Sequence, residues 1–297
     1  MKPYNDFSTF LQKHFPFKVQ KISLHAGFTC PNRDGTKGVG GCTYCNNQTF
    51  SPEYCHTEKT ITEQLNEGAV FFSRKYPAMK FLAYFQAYTN TYGEISELIG
   101  KYEEALAHPL VVGLIIGTRP DCVSDELFDY FEALSQRTFL LIEYGVESTN
   151  DDTLTFINRG HTYADAEEAI RKTSARGIMA GAHLILGLPR ESREVILSHA
   201  DRISQLPLTT IKLHQLQLIR HTSMAKQFEE HPEWFHLFEV EEYIDLVVEF
   251  VRRLNPSFVI ERFVSQSPKE LLIAPDWGLK NYAFVDKIDR KLRSLPQ

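Results

Sequence analysis

Short apolar runs of strand length alternate along this chain with longer stretches in which apolar residues recur every three or four positions. That alternation is the pattern of βα units feeding a parallel sheet. Strands are predicted at Val19–Leu24, Phe81–Gln86, Leu110–Ile116, Phe139–Tyr144, Ile178–Leu186 and Thr210–Leu216, with a seventh candidate at Phe258–Arg262. Helices are predicted over Thr60–Tyr76, Ile95–Ala107, Asp125–Ser135, Tyr163–Arg176, Ser192–Gln205 and Glu239–Leu254. Ser124 before Asp125-Glu126, and Thr162 before Ala164-Asp165, place a capping oxygen ahead of acidic first turns. Asn255-Pro256 stops the last helix.

Strands buried on both faces should be almost purely apolar. Several here are not. By the two-residue period Tyr84, Gln86 and Tyr88 share one face, as do Glu143, Gly145 and Glu147. His183, Ile185 and Gly187 share another, and Lys212 pairs with His214. In a barrel of parallel strands, polar residues toward the C-terminal strand ends point into the site. One such residue is as easily a satisfied core or rim polar; four strands doing it together favour a site. No repeat, low-complexity tract or flexible linker divides the chain, so one domain with short terminal extensions is expected.

Composition narrows the classes. At 297 residues, with 43% apolar and 24% charged residues, the chain is an ordinary globular protein of single-barrel size. A net charge of −6 provides no basic field for nucleic acid. Arg171-Lys172, Arg252-Arg253 and Lys287–Arg293 are scattered and read as solvated helix faces. No stretch approaches a membrane span, so no membrane partner is expected. Met1-Lys2-Pro3-Tyr4-Asn5-Asp6 lacks a signal-peptide pattern, which points to the cytoplasm. Five cysteines are then reduced thiols or metal ligands before they are disulfides.

Three of them carry the chemistry. Cys30 follows the first strand, and eleven residues later comes Cys42-Thr43-Tyr44-Cys45. The intervening loop holds Gly35, Gly38, Gly40 and Gly41, so it can fold tightly and turn backbone N–H groups toward sulfur. Three thiolates on one loop can hold three corners of a four-iron cluster and leave the fourth iron open. Zinc held by these cysteines and His25 is one rival, although structural zinc sites usually pair two close Cys-x-x-Cys knuckles. Dithiol redox by Cys42 and Cys45 is another, and it leaves Cys30 idle. Cys55 and Cys122 read as compact buried residues.

Taken together, the ordered motifs resemble the radical S-adenosylmethionine (SAM) superfamily. The resemblance is to an uncharacterised subfamily near the elongator catalytic subunit and the oxygen-independent coproporphyrinogen oxidase. It spans roughly Lys18 to Gln217 and reaches the Leu272-Ile273-Ala274-Pro275-Asp276-Trp277-Gly278 segment. Besides the cysteine loop it rests on Gly117-Thr118-Arg119-Pro120-Asp121, Glu143-Tyr144-Gly145-Val146-Glu147-Ser148, and Ile157-Asn158-Arg159-Gly160-His161. His183-Leu184-Ile185-Leu186-Gly187-Leu188-Pro189 and Lys212-Leu213-His214-Gln215-Leu216 complete it.

The resemblance implies an α/β fold, a partial (β/α)6 TIM-like barrel. An N-terminal extension would occupy 1–17, the core 18–254, and a C-terminal extension packing on the core 255–297. Cys30, Cys42 and Cys45 would ligate a [4Fe-4S] cluster whose unique iron binds S-adenosyl-L-methionine. Reductive cleavage would then give a 5′-deoxyadenosyl radical that abstracts hydrogen from the substrate. Tyr44 would lie beside the adenine, and Glu147, Arg159 and His183 would contact SAM. Tyr88, Lys212 and His214 would face the substrate, from strands two and six taken as the two sheet edges. The competing view has Lys212 neutralising a carboxylate such as Glu143. The implied partners are a one-electron donor such as flavodoxin or ferredoxin, and a substrate that is tRNA or another RNA, or a small metabolite or peptide. A non-catalytic iron–sulfur protein is the opposing class.

The chain also departs from its relatives' pattern. Gln86-Ala87-Tyr88-Thr89-Asn90 replaces a Gly-Gly-Glu run, and Gly117 replaces a glutamate near the ribose. With no acetyltransferase segment in the resemblance, acetyl transfer is not expected.

Overall fold

A computed structural model describes residues 2–73 and 78–295. Its strands are β1 (Asn5–Asp6), β2 (Val19–Leu24), β3 (Lys80–Phe85), β4 (Val111–Thr118), β5 (Phe139–Glu147), β6 (Met179–Leu186), β7 (Thr210–Gln215), β8 (Leu218–Ile219), β9 (Val259–Arg262) and β10 (Leu272–Ala274). Its helices are α1 (Phe7–His14), α2 (Ile61–Ser73), α3 (Ile95–Ala107), α4 (Asp125–Ser135), α5 (Asp151–Phe156), α6 (Tyr163–Ala175), α7 (Arg193–Ile203), α8 (Ser223–Glu230), α9 (Val240–Arg253) and α10 (Asn281–Ser294). The expected helix over Thr60–Tyr76 is α2; its residues 74–76 lie outside the described residues.

Eight strands form one parallel sheet in the order β1-β9-β7-β6-β5-β4-β3-β2, the six predicted βα strands extended by β9 and β1. Its curvature follows from one ion pair. Five strands separate β2 from β9 in the sheet, which laid flat would put them roughly 29 Å apart. Yet Lys21 on β2 binds Glu261 on β9 directly. The sheet therefore curls until side chains of β2 and β9 meet inside it, giving a partial TIM-like barrel.

Alternation along the strands builds two apolar layers. Ile22, Leu24, Phe81, Phe85, Ile116 and Ile142 face outward into the helices and are all but fully buried. Leu82, Ile115 and Leu141 face inward and close the bottom of the barrel with Phe7, Phe10 and Leu11 of α1. Asp6 caps α1 by accepting from the Thr9 N–H, as Ser124 and Thr162 do for α4 and α6. The segment expected as a mere extension over 1–17 thus supplies a strand and the barrel plug. In the expected C-terminal extension β9 joins the sheet, and α10 packs on α9 with Phe284 stacked 5.6 Å from Trp277.

Two sequence expectations about edges are corrected. The strand carrying Phe81–Phe85 is not an edge, because β2 and β4 flank it; β7 is flanked by β6 and β9. The rims are β2 and the two-residue β1. No helix among the described residues is long and apolar enough to cross a membrane.

Candidate active site

Above the apolar plug lies a layer of charge. Glu143 Oε2 accepts from Lys212 Nζ at 2.8 Å and from His183 Nε2 at 2.9 Å, while Oε1 accepts from Lys21 Nζ at 3.1 Å. Lys212 also pairs with Glu261 Oε1 at 2.9 Å and donates to the Tyr84 hydroxyl at 3.2 Å. Two carboxylates therefore balance two ammonium groups. Burial pushes the Glu143 carboxyl up, but Lys21 and Lys212 outweigh it and hold it well below the usual carboxylate range. Burial pushes Lys212 down, with Glu143 and Glu261 opposing.

The histidines sit between this layer and the cavity above it. Burial and the charge of Lys212 push His183 down to about 4, against the pull of Glu143. The ring is neutral near pH 7, and the ionised Glu143 can only accept, so Nε2 carries the hydrogen and Nδ1 is an acceptor. His214 lies 5.8 Å from His183 between ring centroids and is pushed well down by burial and by Arg262. The Arg262 guanidinium donates to the His214 ring from 3.1 Å.

The cavity measures about 1280 Å3 including its open mouth, and Cys30, Cys42 and Cys45 line it together. All three are free thiols. Their loop is moored from outside. Asn158 donates to Gly41 O at 2.8 Å, and Thr43 N–H to Ile157 O at 2.9 Å. Arg119 grips Asp121 through two 2.9 Å bonds and donates to Arg159 O at 2.7 Å; Lys37 of the cysteine loop pairs with the same Asp121. The Thr-Arg-Pro-Asp and Asn-Arg-Gly motifs thus work first as anchors for the cysteines. Arg119 is 2% exposed and Asp121 is held well below the carboxylate range, against burial, by Arg119 and Lys37.

A second set of groups adjoins Cys42. Arg159 Nη1 points at Cys42 Sγ from 3.6 Å, and its Nη2 donates to Gly145 O at 2.5 Å. Glu147 pairs with Arg159 at 3.7 Å, and the Tyr44 hydroxyl donates to it. Burial raises Glu147, with Arg159 and Tyr44 opposing. A Cβ on Gly145 would stand 2.6 Å from Arg159 Nη2, so glycine is required for the arginine to lie there. A bulge between Gly145 and Glu147 breaks the β5–β6 register, and Glu147 takes φ 68°. Tyr88, at φ 62°, shares that left-handed conformation, rare for bulky residues.

The donor chemistry suits an iron–sulfur cluster. Arg159 donates to Cys42 Sγ, and Arg33 opposes the burial that raises the Cys45 thiol; donors to sulfur favour the thiolate form that ligates iron. Burial pushes Cys55 and Cys122 up to about 12, and neither lines the cavity.

Tyr44, Tyr88, Glu147, Arg159, His183 and His214 all line the cavity with the cysteines. Lys212 does not: its ammonium is spent on Glu143, Glu261 and Tyr84, the competing arrangement weighed from sequence, and of these Glu143 and Tyr84 themselves line the cavity. Lys21, Glu261 and Arg262 escaped the sequence reading. Lys21 and Ser23 interrupt an apolar strand at a two-residue interval, a signal that was available. Arg262 was hidden by a register shift where β7 meets β9, which turns both Glu261 and Arg262 inward.

Residues 30–203 match the family model described as the radical SAM superfamily, and residues 208–294 the radical SAM C-terminal domain. The chain is 35% identical over 295 residues to the uncharacterized protein YtqA of Bacillus subtilis, covering 99% of this chain and 90% of that one. It is 29% identical over 140 residues to the tRNA uridine(34) acetyltransferase of Dehalococcoides mccartyi, 44% of this chain and 30% of that protein. Among solved structures, the archaeal Methanocaldococcus infernus Elp3 aligns with a TM-score of 0.69 at 16% identity, over 93% of this chain and 62% of that chain.

Proposed function

Since the chain belongs to the radical SAM superfamily, and is an enzyme of that kind, we propose that Cys30, Cys42 and Cys45 hold its [4Fe-4S] cluster at the barrel mouth. The observation that carries this is the single cavity shared by the three thiols and the Tyr44–Glu147–Arg159 group. When bound and reduced, the cluster and S-adenosyl-L-methionine supply a 5′-deoxyadenosyl radical that takes hydrogen from a substrate. Arg159 donates to Cys42 Sγ and, with Glu147, offers a cation and a carboxylate to the amino and carboxylate groups of SAM. Tyr44 borders the same space with its ring. His183 presents Nδ1 as a fixed acceptor for a hydroxyl, because Glu143 holds its Nε2 hydrogen. The apolar plug and charged layer below shut water out from the barrel bottom. A one-electron donor such as flavodoxin or ferredoxin would serve it in the cytoplasm.

Two substrate classes are open to this site. Likeness to the tRNA acetyltransferase over 140 residues supports an RNA. The charge distribution favours a small molecule: Lys172, Arg171, Arg253, Lys287 and Lys291 all pair with acidic neighbours on the outer helices. Anaerobic reconstitution tests the core proposal. It expects about four irons per chain, a cluster spectrum that changes when SAM is added, and 5′-deoxyadenosine on reduction. A colourless zinc protein, or a cluster indifferent to SAM, sinks it. RNA binding whose affinity falls steeply with salt would favour the RNA class.

A further inference from the structure

Beyond the groups assigned to SAM, the cavity continues to a wall formed by the ends of β7 and β9, where Arg262 and His214 stand. Two features of that wall are unaccounted for. The first is charge. Glu143 and Glu261 are balanced by Lys21 and Lys212, and among the described residues no carboxylate pairs with Arg262. Its one hydrogen-bonding neighbour among the described residues is His214, which burial and the arginine itself keep neutral. The guanidinium is therefore an uncompensated charge beside the closed ion layer.

The second is hydrogen bonding. Arg262 Nε is buried without a partner, and so are Arg159 Nε and Asn47 Nδ2, all on residues that line this cavity. No cavity-lining residue among those described has an orphaned buried acceptor. Buried donors in native proteins are nearly always satisfied, so a wall with donors to spare is built for a ligand rich in acceptors. Arg159 is accounted for beside Cys42; Arg262 and Asn47 are not.

We propose that Arg262, with Asn47 contributing from the cysteine-loop side, anchors an oxyanion of the substrate, and that the substrate is a small molecule ending in a carboxylate or phosphate. The proposal rests on the reading that SAM fills the half of the cavity next to the cysteines. One continuous cavity, open at its mouth, is lined both by the cysteines and by Arg262. Arg262 is a half-buried residue at the end of β9, next to Glu261 of the ion layer, and a terminal anion can meet it without carrying flanking groups past that wall. The planar fork of arginine suits two oxygens of one such group.

The test is anaerobic calorimetric titration of the reconstituted, SAM-saturated protein with inorganic phosphate and, separately, with succinate. One of the two should bind, identifying the source of the anion, and Arg262→Gln should weaken it at least tenfold. Arg137→Gln, a change at an exposed pair with Glu103, should leave it unaltered. An unchanged cluster spectrum and SAM affinity in Arg262→Gln show that the variant is folded. Binding of neither anion, or binding that survives Arg262→Gln, overturns the proposal and leaves the enzyme reading intact. Loss of SAM affinity in that variant also overturns it, by moving Arg262 into the SAM site. A wild-type protein that takes up no cluster or SAM defeats the underlying reading as well.

Discussion

Lys212 Nζ lies 2.8 Å from Glu143 Oε2, and both side chains of the pair are at 3% exposure or less. Removing one partner of such a pair strands the other, which costs about 3–5 kcal/mol, whereas removing both charges costs far less. Lys212→Met should therefore lose about that much in urea denaturation, and Lys212→Met with Glu143→Gln should recover most of it. A single variant within about 1 kcal/mol of wild type would mean that Lys212 is not part of a closed network.

His183 makes stability depend on pH. Its folded value of about 4 lies below the 6.5 of a free imidazole, so the unfolded chain takes up the proton first as pH falls. The contribution is complete above about pH 6.5 and drains away toward pH 4, by on the order of 3 kcal/mol at about 1.4 kcal/mol per unit. His183→Gln keeps a donor for Glu143 without the titration, so its urea midpoint should fall less between those pH values. Parallel curves for the two proteins would contradict this.

The five cysteines should divide three and two. Alanine at Cys30, Cys42 or Cys45 should abolish the SAM-responsive cluster; alanine at Cys55 or Cys122 should leave iron near wild-type content. Burial pushes both of those thiols up to about 12, so iodoacetamide should label neither in the folded protein at pH 8. Rapid labelling of Cys122, or an intact cluster in Cys42→Ala, speaks against the assignment.

Backbone strain at the mouth can be read by reversing an ordinary preference. Tyr88 has φ 62° and Glu147 φ 68°, where a side chain costs roughly 1–2 kcal/mol and glycine costs nothing. Tyr88→Gly should therefore be more stable than Tyr88→Ala by roughly 1 kcal/mol. At position 147 both variants should weaken SAM binding by about 1–3 kcal/mol, as the partner of Arg159 is gone, yet the glycine form should again be the more stable. Alanine matching glycine at both positions would show the strain to be absent.

Much of this arrangement was legible in the sequence because it is local. The caps at Ser124 and Thr162 and the inward faces at Glu143, His183 and Lys212 follow from spacing alone. Depth along the barrel axis does not, since the two-residue period says which way Lys212 points and not how far below the mouth it stops. Arg262 was lost to a register shift, which changes the parity of every residue after it. The plug was lost because Phe7, Phe10 and Leu11 meet partners such as Leu82, Ile115 and Leu141, far along the chain.

The pairing of β1 with β9 and of Lys21 with Glu261 also constrains how the protein is made. Asn5 and Lys21 leave the ribosome early, and their partners, Val259 and Glu261, follow some 240 residues later. At 5–20 residues per second that interval is roughly 12–50 s. Once Lys212 has been added and until Glu261 follows, Lys21 and Lys212 have only Glu143 between them. The rim strands cannot seal until synthesis is nearly over. Sequence separation on that scale makes rim closure a slow, late step, and during that delay a chaperone would meet the open barrel with its future cavity wall missing.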